Sequence, residues 1–197
     1  MNRLYDLNIP IIGITGGIAV GKTTVSTIIS EEGEKVICAD KLIKEIYQEP
    51  ATIKFVNQIF PNAVTNEGIE FSTLRKAFFN DESLKQKIEN FLYPQIKDQF
   101  QKKITPSLTK IFYDIPLLFE KKMESKFDKI ILITLDKEKQ IERLQKRDNI
   151  DASLAEKIIK NQMDSSEKIL GSDFIIRNND DYDMLKKEVL LTIKGLC

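Results

Sequence analysis

The sequence predicts an α/β fold, a three-layer, doubly wound sheet of parallel strands flanked by helices. Two observations predict it. Short runs rich in Ile, Val and Phe occur along the chain with little polar alternation, as expected of strands covered on both faces. Segments with helical periodicity separate these runs, so helices connect parallel strands. At 197 residues the chain is long enough for one such domain with inserts.

The first predicted strand, residues 9–15, leads into a glycine-rich segment. Residues 16–23 match the P-loop pattern G-x-x-x-x-G-K-[ST], and residues 23–29 can begin a helix with one apolar face. Glycines let backbone N–H groups turn inward toward phosphate oxygens, and a helix N-terminus adds partial positive charge. This segment therefore predicts a nucleoside triphosphate site.

Two side chains of the loop have predicted chemical roles. Lys22 is expected to reach the β- and γ-phosphates, and the Thr23 hydroxyl to complete the coordination of Mg²⁺. The predicted nucleotide-binding residues of the loop are Gly17, Ala19, Val20, Gly21, Lys22, Thr23 and Thr24.

The second predicted strand, residues 35–39, ends at Asp40. Ligands of open parallel sheets bind beyond the carboxyl ends of the strands, so a carboxylate here can accept a proton from an attacking hydroxyl. A helix N-cap is the alternative role, and the two roles are compatible.

About seventy residues separate Asp40 from the third strand, which is too long for one crossover helix. Helical patterns occur around residues 43–47, 53–60, 74–79 and 84–100, so residues 41–107 are predicted to form a helical substrate insert. Lys41, Lys44 and Arg75 lie in this insert and are candidates for binding an anionic substrate, although such side chains are often only solvated.

The third predicted strand, residues 110–113, is closed by Asp114. A carboxylate at this position can coordinate Mg²⁺ directly or through water. A turn residue before Pro116 is an equally good interpretation. Glu120 lies farther along and is interpreted as a surface residue.

The fourth predicted strand, residues 129–135, is followed by two polar helical patterns. Residues 137–165 are therefore predicted to form a helical lid that is weakly anchored to the core. Arg143 and Arg147 are four residues apart on one helix face, where they can neutralise a triphosphate. Spacing alone favours the alternative, a solvated face paired with neighbouring carboxylates.

A weaker fifth strand covers residues 174–176. The predicted core domain then contains residues 1–40, 108–136 and 166–197.

Composition excludes several classes of function. The chain has no histidine, which removes His-based triads and imidazole metal sites, so a general base must come from another residue type. Thirty Lys and Arg balance thirty Asp and Glu, so the charge does not argue for a nucleic-acid or membrane partner.

Two cysteines, Cys38 and Cys197, do not form a disulfide framework and favour a cytoplasmic location. We expect a monomer or a weak homo-oligomer.

Two classes of P-loop protein compete at this point. A GTPase-type switch needs D-x-x-G and N-K-x-D motifs after the P-loop, and neither occurs. A small-molecule kinase needs a P-loop, a base after strand two, a substrate insert and an arginine-bearing lid. The chain has a candidate for each of these parts, which favours the kinase.

Several segments carry a closer resemblance. They are residues 14–25 (T-G-G-I-x-x-G-K-[ST]-T-V), residues 39–40 (the end of D-A-D), residues 74–75 and 78–81 (L-R and F-x-[DN]), residues 114–120 (P-L-L-[FV]-E), residues 140–148 (Q-x-x-R-L-x-x-R-D), and Gln162 with residues 172–178 (Q and [AS]-D-x-x-I-x-N). In these segments, from Ile11 to about Asn179, the chain resembles the dephospho-coenzyme A kinase family.

The resemblance implies a fold of the P-loop NTPase, nucleotide-kinase-like type and transfer of the γ-phosphoryl group of ATP to the ribose 3′-hydroxyl of 3′-dephospho-CoA. It implies that Asp40 orients or deprotonates that hydroxyl, that Lys22 and Arg143 are catalytic, and that Arg147 and Asn178 contact ATP. Another P-loop kinase acting on a nucleotide or small metabolite is the alternative.

Three positions depart from the family's pattern. Cys38 stands where the first Asp of D-A-D is expected, Tyr93 replaces a frequent His before Pro94, and Lys44 replaces a frequent Arg. Lysine keeps the charge but loses bidentate geometry. These departures bear on details of acceptor binding, and for Tyr93 the alternative is a change of packing only.

Overall fold

The structure, a computed structural model, describes residues 3–196. The prediction for Cys197 lies outside the described residues. The described chain forms two compact units. One contains residues 3–38 and 107–196, and the other is Ala39–Pro106.

The first unit is built on a five-stranded sheet whose paired strands all run parallel. Its strands are β1 (Ile11–Gly16), β2 (Val36–Cys38), β5 (Ile111–Asp114), β6 (Lys129–Thr134) and β7 (Phe174–Arg177). Their order is β2-β5-β1-β6-β7, with β1 in the centre between two strands that come much later in the chain. All five predicted strands are confirmed, with ends shifted by one or two residues.

Five α-helices belong to the described part of this unit. They are α1 (Lys22–Glu31), α6 (Lys137–Asp148), α7 (Ala152–Lys160), α8 (Ser165–Leu170) and α9 (Tyr182–Lys194). The apolar core joins the sheet to α1 and α9 through fully buried side chains such as Ile14, Ile28, Ile131 and Val189. On β1, Gly13 leaves room for Leu118 and Phe127, since a Cβ there would lie 2.9 and 3.1 Å from them.

The second unit is mainly helical. It contains α2 (Ala39–Tyr47), α3 (Pro50–Ile59), α4 (Phe71–Asn80) and α5 (Glu82–Lys102), together with the hairpin of β3 (Val64–Thr65) and β4 (Gly68–Ile69). Its core includes Ile46, Val56, Ile88 and Phe100, all at 0% exposure. The four helical patterns are confirmed, but the hairpin was not predicted because each strand has only two residues.

Carboxylates at helix starts explain several helix boundaries. Asp81, Asp151 and Asp181 each accept a hydrogen bond from the backbone N–H three residues later, at 2.7 to 2.9 Å. The second of the two helices predicted after β6 therefore begins at Ala152. It ends at Lys160, so Gln162 lies in the turn beyond α7. Within residues 3–196, no helix is long and apolar enough to cross a membrane.

Candidate active site

The P-loop connects β1 to α1, as its sequence pattern predicts. Ala19 and Gly21 have left-handed backbone conformations, with φ of 59° and 92°. No side chain among the described residues caps the start of α1. The first amides of this helix are therefore available to an anion, and the helix dipole favours negative charge there.

Lys22 and Asp114 form an ion pair next to the loop. Asp114 is the last residue of β5, is only 3% exposed, and also accepts a hydrogen bond of 2.9 Å from Ser26 Oγ. Lys22 and Ser26 are four residues apart on α1, so one helix face presents both donors. Asp114 therefore belongs to the strand and faces the P-loop helix, and it is not a turn residue before Pro116. Sequence reasoning missed Ser26, although its spacing from Lys22 was a usable signal.

The oxygen donors around the loop fit a magnesium ion bound together with a nucleotide. The donors are the Asp114 carboxylate and the hydroxyls of Thr23 and Ser26. Within residues 3–196, no cluster of three or more His, Cys, Asp or Glu side chains is placed to hold a metal by itself. Mg²⁺ commonly binds through one or two carboxylates plus substrate phosphates and water, so a sparse protein contribution suits it.

Three side-chain amides hold the outer part of the loop. Gln140 Nε2 donates to the Ile18 carbonyl at 2.7 Å, and the Ile18 N–H donates to Gln162 Oε1 at 2.8 Å. Asn178, which is 5% exposed, donates from Nδ2 to the Val20 carbonyl at 2.8 Å. The structure thus places Asn178 beside the loop backbone, while its contact with ATP stays a prediction.

The two candidate lid arginines have different surroundings. Arg143 donates to the Asn178 carbonyl at 3.3 Å, and its Nη1 would lie 3.5 Å from a Cβ built on Gly21. Arg143 therefore lies beside the end of the P-loop. Arg147 makes a bidentate pair with its exposed neighbour Asp148 at 2.7 and 2.9 Å, and this hydrogen bonding raises the pKa of Arg147 above its ordinary value. Its ATP contact stays a prediction.

Glu120 is half-buried and bonded within the first unit, which goes beyond its interpretation as a surface residue. Its Oε1 accepts from Lys168 Nζ at 2.7 Å and from the Met163 N–H at 3.2 Å. Burial raises the pKa of Glu120, but its hydrogen bonds, chiefly that from Lys168, and the positive charge of Lys168 together lower it by more, so the pKa lies below its ordinary value. Lys168 is itself only 4% exposed, so the pair connects the loop after β5 to α8 inside the first unit.

Three predicted acceptor residues of the second unit, Asp40, Lys44 and Arg75, line one cavity of about 620 Å³, whereas Lys41 is not among its lining residues. Its lining residues are Asp40, Ile43, Lys44, Tyr47, Phe71, Leu74, Arg75 and Phe78. Asp40 is the second residue of α2, so it is not that helix's N-cap. The Tyr47 and Phe71 rings pack edge-to-face at 5.0 Å. Burial, with a smaller contribution from Glu89, raises the pKa of Tyr47 to about 12, so its phenol is neutral.

Comparison with known proteins decides the family. The family model described as dephospho-CoA kinase matches residues 10–183. The chain belongs to the dephospho-CoA kinase family. Like the rest of this family it is a kinase, an ATP-dependent phosphotransferase, and the resemblance found in the sequence is confirmed.

Individual relatives agree with the family model. The dephospho-CoA kinase of Fusobacterium nucleatum is 36% identical over 187 residues, which cover 93% of this chain and 96% of that protein. The solved structure of the dephospho-CoA kinase from Campylobacter jejuni is 28% identical, with a TM-score of 0.69 over 94% of this chain and 96% of its own. A Thermus thermophilus crystal structure has a TM-score of 0.85 at 22% identity, over 96% and 98% of the two chains, and supports the fold.

A methyl group at Gly21 is expected to damage the P-loop of this dephospho-CoA kinase family member. A Cβ there would lie 2.1 Å from Asn178 Nδ2. Alanine would also have to adopt the left-handed φ of 92° that Gly21 has. Gly21→Ala should therefore raise the KM for ATP by roughly tenfold or more. The free energy lost with one hydrogen bond to a buried group corresponds to about this factor. Steady-state kinetics with varied ATP measure this.

Gly33→Ala is the matched control. Gly33 has φ of 85°, but a Cβ there meets nothing within 4 Å among the described residues. Both variants share the backbone strain of about 1–2 kcal/mol, and only Gly21→Ala displaces Asn178. Equal KM values for ATP in the two variants would show that the Asn178 contact does not matter.

Proposed function

We propose that the protein transfers the γ-phosphoryl group of ATP to the ribose 3′-hydroxyl of 3′-dephospho-CoA, giving CoA and ADP. The observation that carries this proposal is the cavity of the second unit, which combines a carboxylate, two cations and aromatic walls. An acceptor with a reactive hydroxyl, phosphates and a flat base matches those three features. The membership of the dephospho-CoA kinase family supports the same acceptor.

In this proposal Asp40 accepts the proton of the 3′-hydroxyl as that oxygen attacks phosphorus. Lys44 and Arg75 bind the acceptor's phosphates, and Tyr47 and Phe71 form the apolar wall of its cavity. Phosphoryl transfer needs little covalent chemistry from the protein, so orientation of the hydroxyl is the main contribution of this unit.

The P-loop residues hold the donor in the same proposal. The amides of residues 17–24 and Lys22 bind the phosphates, and Asp114 with the hydroxyls of Thr23 and Ser26 is available to hold Mg²⁺, which neutralises phosphate charge when bound. Lys22 must leave Asp114 to reach the nucleotide. Arg143, beside Gly21, stabilises the charge of the transferred group, and residues 137–165 act as the lid that excludes water.

We further propose that the enzyme acts in the cytoplasm as a monomer or weak homo-oligomer, without a nucleic-acid partner. The metabolic kinase family and the sparse use of cysteine support the location. The balanced charge supports the absence of a nucleic-acid partner in this proposal.

The test is a coupled assay that offers ATP with 3′-dephospho-CoA, adenosine, shikimate or nucleoside monophosphates. The expected result is turnover with 3′-dephospho-CoA far above that with the other acceptors. Strong turnover of a nucleoside monophosphate without turnover of 3′-dephospho-CoA would instead favour a nucleotide kinase and overturn the proposal.

Substitution of Arg143 tests whether this side chain stabilises the transferred phosphoryl group or binds the acceptor. Arg143→Ala should lower kcat by roughly 10²-fold or more, because charge stabilisation by one donor in the transition state has this magnitude. The KM for 3′-dephospho-CoA should change much less. Lys146→Ala, on the same helix and exposed, is the control with little expected effect. A change in acceptor KM that exceeds the change in kcat would assign Arg143 to acceptor binding.

A further inference from the structure

Both backbone polar groups of Ile18 are bonded to glutamine side chains. The Ile18 carbonyl accepts from Gln140 Nε2 at 2.7 Å, and the Ile18 N–H donates to Gln162 Oε1 at 2.8 Å. A carbonyl only accepts and an N–H only donates, so each amide has one productive orientation. We call Gln140 and Gln162 the glutamine clamp.

The clamp holds a part of the loop that carries backbone strain. Ala19, the next residue, has φ of 59°, a left-handed conformation that costs a non-glycine residue about 1–2 kcal/mol. Such a conformation persists only where the surroundings determine it. The clamp fixes Ile18 on one side of Ala19, and Asn178 fixes Val20 on the other at 2.8 Å.

Gly17 leaves room for both clamp residues next to the loop. A Cβ on Gly17 would lie 3.0 Å from Gln140 Nε2 and 3.4 Å from Gln162 Oε1, so glycine leaves the room that both amides occupy. Gln140 is only 6% exposed. Glu120 holds the turn that contains Gln162. It accepts a hydrogen bond from the Met163 N–H at 3.2 Å and forms an ion pair with Lys168.

The two glutamines belong to the segment predicted as the lid. Gln140 lies in the first turn of α6, and Gln162 follows the end of α7. The base of this segment is therefore anchored to the P-loop by polar contacts, in contrast to the weak anchoring that its few apolar residues predicted. Movement of this base would change the two hydrogen bonds that hold Ile18.

We propose that Gln140 and Gln162 are positioning residues that hold the P-loop in its phosphate-binding shape through the two backbone groups of Ile18. The geometry couples ATP affinity to the placement of residues 137–165. This inference rests on the use of ATP in the proposed function but not on the identity of the acceptor.

The test exploits the opposite polarity of the two hydrogen bonds. Gln140→Glu removes a donor and places a carboxylate against a carbonyl oxygen. Gln162→Glu keeps an acceptor for the Ile18 N–H. Both variants add one negative charge beside the same residue, so each controls for the other's repulsion of ATP.

The measurement is the Kd for ATP by calorimetry, in the absence of any acceptor. Gln140→Glu should raise the Kd roughly tenfold more than Gln162→Glu does, since an unsatisfied polar group has a cost of this size.

The pH dependence of the ratio of the two Kd values separates positioning from a merely structural role. The carboxyl introduced by Gln140→Glu faces a carbonyl oxygen, which favours its protonated form and raises its pKa. At about pH 5 this carboxyl takes up a proton and again donates to the Ile18 carbonyl, so the ratio should narrow. The carboxylate introduced by Gln162→Glu accepts the Ile18 N–H, which favours its charged form at the same pH. Protonation also removes the added charge, so Gln140→Met, which is neutral and has no donor, is the control at this pH. Positioning predicts tighter ATP binding by Gln140→Glu than by Gln140→Met at about pH 5, whereas an effect of charge alone predicts equal Kd values for these two variants.

Two results would overturn the proposal, namely equal Kd values for the two variants or a ratio that is independent of pH. If Gln140→Glu does not fold, Gln140→Met removes the donor without adding charge and should raise the Kd roughly tenfold. An unchanged Kd for Gln140→Met would likewise overturn it. Failure of the wild-type protein to bind ATP would instead contradict the proposed function.

Discussion

Asp40→Asn is expected to lower kcat by roughly 10²-fold or more, the usual effect of removing a general base. Asparagine has nearly the same shape as aspartate but cannot accept the proton of the acceptor's hydroxyl. The KM for ATP should stay unchanged, because Asp40 lines the proposed acceptor cavity and does not belong to the P-loop. Steady-state kinetics with each substrate varied in turn measure both parameters.

Asp98→Asn is the control for Asp40→Asn. Asp98 is an exposed carboxylate of the same unit, paired with Lys102 at 2.6 Å, so the control makes the same change of charge outside the cavity. Its kcat should equal that of the wild type. Normal turnover of Asp40→Asn would contradict the catalytic role. Asp40 would then contribute only a favourable interaction with the N-terminus of α2, which stabilises the helix by about 0.3–1 kcal/mol.

Lys22→Met is expected to have the second large effect. Removing one cation that stabilises the transferred phosphoryl group should lower kcat/KM for ATP by roughly 10²- to 10³-fold or more. The substitution also leaves the buried Asp114 carboxylate with Ser26 but without its cation. An uncompensated buried charge of this kind destabilises a protein by up to about 3–5 kcal/mol. Chemical denaturation measures the stability.

The double variant Lys22→Met with Asp114→Asn separates these two effects. Neutralising Asp114 removes the unpaired charge, so most of the lost stability should return. Activity should stay low, because neither the phosphate-binding cation nor the candidate metal ligand is restored. Recovery of activity in the double variant would show that Lys22 acts only by neutralising Asp114.

The sheet and the P-loop could be predicted because their signals are local. The strands are continuous apolar runs, and the loop follows a strand and precedes a helix in its own sequence. The helical pattern of residues 53–60 is also local, but α3 begins three residues earlier than predicted, with Pro50 in its first turn. The β3–β4 hairpin escaped prediction because two-residue strands carry almost no pattern.

Much of the candidate site could not be predicted because its contacts join distant parts of the chain. Gln162 lies 144 residues from Ile18 along the sequence, and Asp114 lies 92 residues from Lys22. Pairing across such distances depends on strand order, here β5 and β6 on either side of β1. The role of Glu120 escaped for the same reason, since its partner Lys168 belongs to another element.

The most direct test of the central claim is the identity of the product formed from ATP and 3′-dephospho-CoA. Mass spectrometry and phosphorus NMR should show one new phosphate, on the ribose 3′-oxygen, and one ADP formed for each CoA. Phosphorylation at another position, or ATP hydrolysis with 3′-dephospho-CoA unchanged, would contradict the account.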